Sequence, residues 1–310
     1  MIAFKQIHDS FFGNCLEADN GHCRVVMTLD IGPRVISYSV SGMENAFGED
    51  RSDFSHMDGG AFAEVFGDKR WHIYGGHRLW FSPEHNPLSY YPDNDPVAWE
   101  VRGNTVILTP PPQTEAGLQF CMEVTIAEDA PAVKVLHRIT NIGGGAKTLA
   151  LWPMTLGAEH CTAVIPTNAR DTGLLHNRNL SLWAYTDVYD DRLFIGNKFI
   201  TLNQNPDIKT NIKIGTNCAP GWLALLSNNQ LFVKRFAYEE GASYPDSGCN
   251  CEAFANFFMM EVESLSPLQN LAPGQNAEAT EDWTICPCPD SFDRKNEDAT
   301  ERFLRQYGVL

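Results

Sequence analysis

The feature that most constrains this chain is a two-residue alternation of apolar and polar side chains. Residues 118–126 carry Leu, Phe, Met, Val and Ile at every second position, and residues 133–139 repeat the pattern with Val, Val, His and Ile. Residues 222–226 and 231–238 flank a polar turn at residues 227–230. Successive side chains of a β-strand point to opposite faces, so this period predicts half-buried strands joined by hairpins.

Helical periodicity is scarce. Residues 60–66 are compatible with one short helix, and the tail from about residue 296 to 307 places Phe303 and Leu304 on one stripe before Gly308. Many strands and few helices predict an all-β fold. No change of composition divides the 310 residues. We therefore expect residues 1–310 to form one domain, a single large β-sandwich with a short C-terminal helix.

The charge balance restricts the partners of the chain. Lys and Arg total 23 and Asp and Glu total 39, so the formal net charge is −16. This charge argues against nucleic acid and against an anionic membrane surface. The apolar runs are too short to cross a bilayer. The N-terminus has no apolar segment followed by a cleavage site, so we expect no signal peptide and a cytoplasmic location.

The nine cysteines include two closely spaced pairs, Cys249 with Cys251 and Cys286 with Cys288. Zinc sites usually separate paired cysteines by two to four residues. Without an export signal, reduced thiols that pack as small apolar groups are the simpler interpretation. We expect no disulfide, no tightly bound metal and no cofactor.

Residues 254–262 are apolar on both faces, which predicts one central strand buried on both sides. Glu261 and Glu263 lie at its end and share one face. Two acids at the end of a buried strand are costly unless they are paired or used in chemistry. They are therefore candidate functional residues.

Residues 71–85 hold the densest group of chemically versatile side chains, with three His, one Arg, one Glu and several aromatic rings around a Gly-Gly turn. Aromatic rings stack on the C–H faces of a pyranose, and Arg, Glu and His bind its hydroxyls. We expect this segment to line the main cleft, with Arg78, Trp80 and Glu84 facing it. The alternative is a loop whose aromatic rings cap the core.

Two further polar residues lie on strands with apolar neighbours. His137 shares a face with Val135 and Ile139, which favours a core histidine whose hydrogen bonds are satisfied. Lys234 alternates with Phe232 and Phe236. A surface lysine and a lysine directed into a pocket both fit that pattern. We predict that Lys234 points into the cleft and is paired there with a carboxylate.

Several segments resemble the galactose mutarotase-like domains of the aldose 1-epimerase superfamily. The similar stretches extend from about residue 31 to 283 and are residues 30–38, 44–47, 75–84, 137–141, 149–155, 260–267, 271–274 and 281–283. The resemblance implies a β-supersandwich with a sugar cleft across one concave sheet. It also implies that Asn45 approaches the sugar.

Aldose 1-epimerases of that fold use a C-terminal glutamate as general base and a histidine as general acid, which opens and recloses the sugar ring. Glu261 or Glu263 can match the base, and we expect Glu263 to face the cleft because it lies nearer the strand end. The stretch that matches the histidine strand, residues 151–156, holds no histidine. His77 is the best available acid.

These observations support three functions. The first is a carbohydrate epimerase or related enzyme with His77, Glu263 and Glu261 as catalytic residues. The second is a carbohydrate-binding protein without catalysis, and the third is a polysaccharide lyase-like or sugar isomerase activity. The expected ligand is a monosaccharide or a short oligosaccharide. The predicted binding residues are Asn45, Arg78, Trp80, Glu84, Trp152 and Lys234.

Overall fold

The computed structural model describes residues 2–310 and is built mainly of strands. In chain order these are β1 (Ala3–Asp9), β2 (Gly13–Asp19), β3 (Cys23–Thr28), β4 (Val35–Val40), β5 (His56–Met57), β6 (Trp71–His72), β7 (His77–Ser82), β8 (Ala98–Arg102), β9 (Thr105–Thr109), β10 (Leu118–Ile126), β11 (Ala132–Asn141), β12 (Lys147–Gly157), β13 (Thr162–Pro166), β14 (Leu180–Leu182), β15 (Leu193–Ile195), β16 (Phe199–Asn203), β17 (Ile212–Thr216), β18 (Trp222–Ser227), β19 (Gln230–Phe236), β20 (Cys251–Ala255), β21 (Met260–Ser264), β22 (Gln269–Leu271) and β23 (Asn276–Pro287).

Two large sheets form the fold. The first has 11 strands in the order β1-β2-β3-β4-β7-β12-β21-β20-β17-β14, with β22 also paired to β12. The second has 10 strands in the order β15-β16-β13-β18-β19-β23-β11-β10-β9-β8, and β5 and β6 make a separate two-stranded sheet. The all-β prediction is confirmed.

The alternating segments form the expected half-buried strands. In β10 buried and half-buried positions alternate along all nine residues, and β10 pairs antiparallel with β11. β18 and β19 form the expected hairpin around residues 227–230. The buried faces of both sheets meet in the main hydrophobic core, which includes Tyr38, Phe47, Phe232 and Trp283. This packing leaves the opposite face of the first sheet available for a site.

The prediction of one continuous strand over residues 254–262 is wrong. β20 ends at Ala255 and β21 begins at Met260, and the two strands pair antiparallel. The side-chain oxygen of Asn256 accepts hydrogen bonds from the backbone N–H groups of Phe258 and Met259, which closes the turn between them. An apolar run does not distinguish one long strand from two short strands with a tight turn.

Helices are few. Besides the 3-10 turn Leu88–Tyr90 and the short helical turn Pro245–Gly248, the helices are Gly60–Phe66 and Glu297–Gln306. The last of these confirms the predicted C-terminal helix. The side chain of Asn296 caps its first turn, and Phe303 and Leu304 pack in a second core cluster on the outer face of the second sheet. Within residues 2–310, no helix has the length and apolarity to span a bilayer.

Candidate functional site

The outer face of the first sheet carries a row of residues, three of them charged, across four neighbouring strands. Arg78 on β7 lies opposite Met154 on β12, and Met154 lies opposite Glu263 on β21. Glu263 in turn lies opposite Glu252 on β20. Residues directly opposite one another in antiparallel strands point to the same face. Strand pairing therefore gathers side chains that are far apart in the sequence.

An open cleft of about 810 Å³, part of it open solvent, lies over this row. We call it the indole cleft. Its aromatic lining residues are Trp71, Trp80, Tyr90, Trp152, Trp183, Tyr185 and Phe254. Its charged lining residues are Arg78, Glu84, Lys213, Glu261 and Glu263. Flat apolar walls combined with a few convergent charged groups are typical of small-molecule sites.

The aromatic wall is a chain of edge-to-face contacts. The ring of Trp80 lies 5.6 Å from that of Trp152 and 4.9 Å from that of Tyr90, both in T-shaped geometry. Trp71 contacts Tyr90 at 5.0 Å between ring centroids. The contacts hold each ring in one orientation. The wall therefore presents a fixed apolar surface to the cleft.

Glu261 and Arg78 form an ion pair at the floor of the indole cleft. Nη2 of Arg78 donates to Oε1 of Glu261 at 2.7 Å, and the guanidinium lies 4.8 Å from the ring centroid of Trp80. Arg78 is only 3% exposed, and its Nε and Nη1 groups meet no acceptor within residues 2–310. Both groups are buried, so these unpaired donors are costly to the fold and lie out of reach of a ligand in the cleft.

Glu263 is held more firmly than Glu261. The indole Nε1 of Trp152 donates to Oε2 of Glu263 at 2.6 Å, and Nζ of Lys213 lies 2.9 Å from the same oxygen. Glu263 is 1% exposed and Glu261 is 8% exposed. We expected Glu263 to be the more accessible of the two because it lies nearer the strand end. The structure shows the reverse, because Trp152 and Lys213 cover Glu263. Glu261 is the carboxylate more open to the cleft.

Lys213 connects Glu263 to a second buried acid. Its Nζ lies 2.8 Å from Oε2 of Glu252, and 4.7 and 4.6 Å from the ring centroids of Trp152 and Trp183. Burial opposes the charge of Lys213, but the two carboxyl groups outweigh it and raise its pKa above the usual value. Burial raises the pKa of Glu252 well above its usual value, and Lys213 offsets this only in part. Burial therefore favours the protonated form of Glu252.

His77 and Lys234 are outside the indole cleft, which corrects their predicted placement. Both are fully buried between the two sheets. Nε2 of His77 lies 2.8 Å from Nε2 of His137, and Nδ1 of His77 lies 2.8 Å from the hydroxyl of Thr155. Nζ of Lys234 lies 3.0 Å from Glu281, so the expected carboxylate partner is present, but in the core. Adjacent residues of a strand point to opposite faces, so His77 faces the core because Arg78, the next residue on β7, faces the cleft.

The core position of His77 determines its protonation. Burial lowers the pKa of His77 well below the usual value, and the neighbouring His137 lowers it further. Burial also lowers the pKa of His137, to about 4. Both rings are therefore neutral at pH 7, and one donates to the other. A neutral histidine between the sheets does not contact a ligand in the cleft.

His77, His137 and Glu281 are the residues within 2–310 whose ligand atoms come close enough to hold a metal ion, all within 4.8 Å of one another. The ammonium of Lys234 lies 3.0 Å from Oε1 of Glu281, and Nε1 of Trp283 donates to its other oxygen at 2.9 Å. A cation at this position competes with a metal for the carboxylate. The arrangement fits a buried hydrogen-bond network better than a metal centre.

Asn45 and Glu84 differ in their relation to the cleft. The side chain of Asn45 accepts from the backbone N–H of Tyr38 and Phe47 and donates to Ile36, so it closes a turn and lines a separate depression. Glu84 lies at the rim of the indole cleft and accepts from the hydroxyl of Tyr90 at 2.5 Å. The structure therefore brings Arg78, Trp80, Glu84, Trp152, Glu261 and Glu263 together, and leaves Asn45, His77 and Lys234 elsewhere.

Sequence reasoning missed Lys213, Glu252, Trp183 and Tyr185. Lys213 lies between Ile212 and Ile214 on β17, whose side chains point to the opposite face, so it lacks the same-face apolar neighbours that drew attention to Lys234. Only the pairing of β17 with β20 and of β20 with β21 directs Lys213 to the outer face beside Glu263. Trp183 and Tyr185 follow the edge strand β14, and nothing in their own sequence neighbourhood indicates the cleft.

Neither a known protein family nor a curated protein matches the sequence. Solved structures do match the fold. A candidate aldose 1-epimerase from Klebsiella pneumoniae superposes with a TM-score of 0.58 at 10% identity, covering 99% of this chain and 88% of that one. A galactose mutarotase-like protein from Lactobacillus casei superposes with a TM-score of 0.53 at 9% identity, covering 92% and 100%.

A third similar structure is a TPR-domain containing protein from Parabacteroides distasonis, with a TM-score of 0.59 and 13% identity over 90% of this chain. This chain spans 48% of that protein's length. At such low identities the similarity concerns architecture alone. The chain has the galactose mutarotase-like fold expected from its sequence.

Proposed function

We propose that the protein, which has a galactose mutarotase-like fold, binds carbohydrate in the indole cleft. The observation that carries the proposal is the position of Trp80 and Trp152 beside two carboxylates, Glu261 and Glu263, on one sheet face. Indole rings stack on the apolar C–H face of a sugar ring, and carboxylates accept hydrogen bonds from its hydroxyls. Arg78 lies on the same floor and holds Glu261 in place.

The charges of the cleft favour an uncharged sugar. Arg78 is paired with Glu261, and Lys213 is shared by Glu252 and Glu263, so both cations are already compensated. A phosphate or carboxylate on the ligand would have to displace one of these pairs. A new ion pair between the ligand and Arg78 or Lys213 would leave a carboxylate of the cleft without its cation. An unpaired buried carboxylate is unfavourable.

Aldose 1-epimerase-type catalysis is the second candidate, supported by the fold and by the exposure of Glu261 to the cleft as a proton acceptor. The reaction also needs a proton donor at the ring oxygen. Within residues 2–310 the lining of the cleft includes no histidine. Its phenols are weak donors, since burial raises the pKa of Tyr185 to about 12 and that of Tyr90 further above its usual range. Binding without fast anomer exchange is the better supported function.

One experiment tests both functions. NMR titration of the protein with glucose, galactose, mannose and xylose reports binding, and exchange spectroscopy on the same samples reports the rate of anomer interconversion. We expect binding that Trp80→Ala weakens by about tenfold, the loss of roughly 1.4 kcal/mol of aromatic contact. Binding that is unaffected by Trp80→Ala would contradict the assigned site. Protein-dependent acceleration of exchange that Glu261→Gln abolishes would establish the enzyme instead.

A further inference from the structure

Three phenylalanines form an exposed patch beside the indole cleft. The ring of Phe54 lies 5.8 Å from that of Phe257 and 5.4 Å from that of Phe258, and Phe257 and Phe258 lie 5.2 Å apart. Phe54 is 59% exposed, and the other two are half-buried. We call this patch the phenylalanine ridge. An exposed apolar cluster of this kind commonly marks a binding surface.

The ridge is continuous with the indole cleft. Ser55 and Met259, the chain neighbours of Phe54 and Phe258, both line the cleft. On its other side, Phe258 lines the depression that also contains Asn45 and Asn228. A ligand that leaves the cleft at this end therefore meets the ridge first and then a polar depression.

The ridge is held rigidly by buried polar side chains. The carboxylate of Asp50, which is buried, accepts from the backbone N–H groups of Phe54 and Ser55 at 3.0 and 2.9 Å. The amide of Gln204, also buried, donates to the backbone oxygens of residues 256 and 257 at 3.2 and 3.0 Å. Loops that are fixed in this way lose little conformational entropy when they bind a ligand.

We propose that the phenylalanine ridge is a second sugar subsite and that the ligand is therefore a neutral oligosaccharide rather than a monosaccharide. The inference rests on the proposed function, with the first sugar ring in the indole cleft. The next ring stacks on Phe54 and Phe258, and its hydroxyls face the polar depression. Glu44, Glu49 and Glu159 line that depression, so the surface disfavours glycans that carry carboxylate or sulfate groups.

Calorimetric titration with monosaccharides and with neutral tetrasaccharides tests the inference. The monosaccharide probes are glucose, galactose, mannose and xylose. The neutral tetrasaccharides are maltotetraose, cellotetraose, galactotetraose, mannotetraose and xylotetraose, and the acidic probe is tetragalacturonate. We expect the tetrasaccharide of the preferred sugar to bind at least tenfold more tightly than its monosaccharide. Tetragalacturonate should bind at least tenfold more weakly than the preferred neutral tetrasaccharide.

Variants of the ridge separate the second subsite from the first. Phe54→Ala and Phe258→Ala should each weaken tetrasaccharide binding about five- to tenfold. Each should leave the monosaccharide affinity within twofold of the wild-type value. Phe54 is largely exposed, so Phe54→Ala tests the subsite even if Phe258→Ala disturbs the turn. Trp99→Ala, at a half-exposed tryptophan on β8 in the other sheet, is the matched control and should change neither affinity.

The outcomes distinguish this inference from the proposed function. Equal affinity for monosaccharides and tetrasaccharides, or tetrasaccharide affinity that Phe54→Ala leaves unchanged, would overturn the second subsite while the cleft remains a sugar site. Tight binding of tetragalacturonate would overturn the restriction to neutral glycans. No binding of any of these sugars would overturn both proposals.

Discussion

Removing the charge of Lys213 should destabilise the protein and should do so in a pH-dependent way. Its Nζ lies 2.8 Å from Glu252 and 2.9 Å from Glu263, two residues directly opposite each other on β20 and β21. In Lys213→Met these carboxyl groups face each other without a cation. Taking one partner from a buried ion pair costs about 3–5 kcal/mol. Because the raised pKa of Glu252 allows this residue to take up a proton once the cation is gone, we expect the lower end, about 3 kcal/mol.

The pH dependence follows from linkage. The raised pKa of Glu252 means that the native state holds a proton that the unfolded chain releases, so stability falls as pH rises above the usual glutamate range. In the variant, the charge of Lys213 no longer lowers the pKa of Glu252, so the native state holds this proton more tightly. The stability of Lys213→Met should therefore fall more steeply with rising pH than that of the wild type. The difference between the two proteins should be smaller at pH 5 than at pH 8.

Urea denaturation followed by tryptophan fluorescence at pH 5 and pH 8 measures this effect. Lys134→Met is the matched control, since Lys134 is an exposed strand lysine whose Nζ lies 4.0 Å from Asp282. Exposed pairs contribute about 0–1 kcal/mol, so the control should change stability little at either pH. A cost below 1 kcal/mol for Lys213→Met at pH 8, or the same cost at both pH values, would refute the reasoning.

Three further outcomes are expected. Glu263→Gln should lower the free energy of unfolding by more than Glu261→Gln, because Glu263 is the more deeply buried and is bonded by both Lys213 and Trp152, whereas Glu261 is paired with Arg78 alone. Glu261→Gln should weaken sugar binding more. The opposite ranking in denaturation and titration would contradict these roles. Lys234→Met should destabilise the fold by about 3 kcal/mol, because it removes the partner of buried Glu281, yet leave sugar affinity within twofold. A loss of affinity without a loss of stability would show that Lys234 contacts the ligand. Denatured protein prepared anaerobically with reductant should titrate nine thiols and carry no stoichiometric zinc, and a smaller thiol count would indicate a disulfide.

The fold was predictable because its signal is local. The alternation of apolar and polar residues that indicates a half-buried strand lies within that strand. The C-terminal helix likewise contains its apolar stripe and begins at its capping residue, Asn296. The site was predictable only where the chemistry was concentrated within one strand. Arg78 and Trp80 are two residues apart on β7, and Glu261 and Glu263 are two residues apart on β21, so each pair shares a face. That the two pairs meet depends on β12 lying between their strands, which no local pattern specifies.

The placement of His77 shows that only alternate residues of a motif in a strand can line the same site. In a strand, adjacent residues point to opposite faces, so His77 and Arg78 cannot both line one cleft once the segment is known to be β7. Half of any such motif faces the core, and its polar groups must find partners there. His77 does so with His137 and Thr155, one on the facing sheet and one on the neighbouring strand. The polar side chains of this segment therefore serve two purposes, ligand contact on one face and a satisfied link between the sheets on the other.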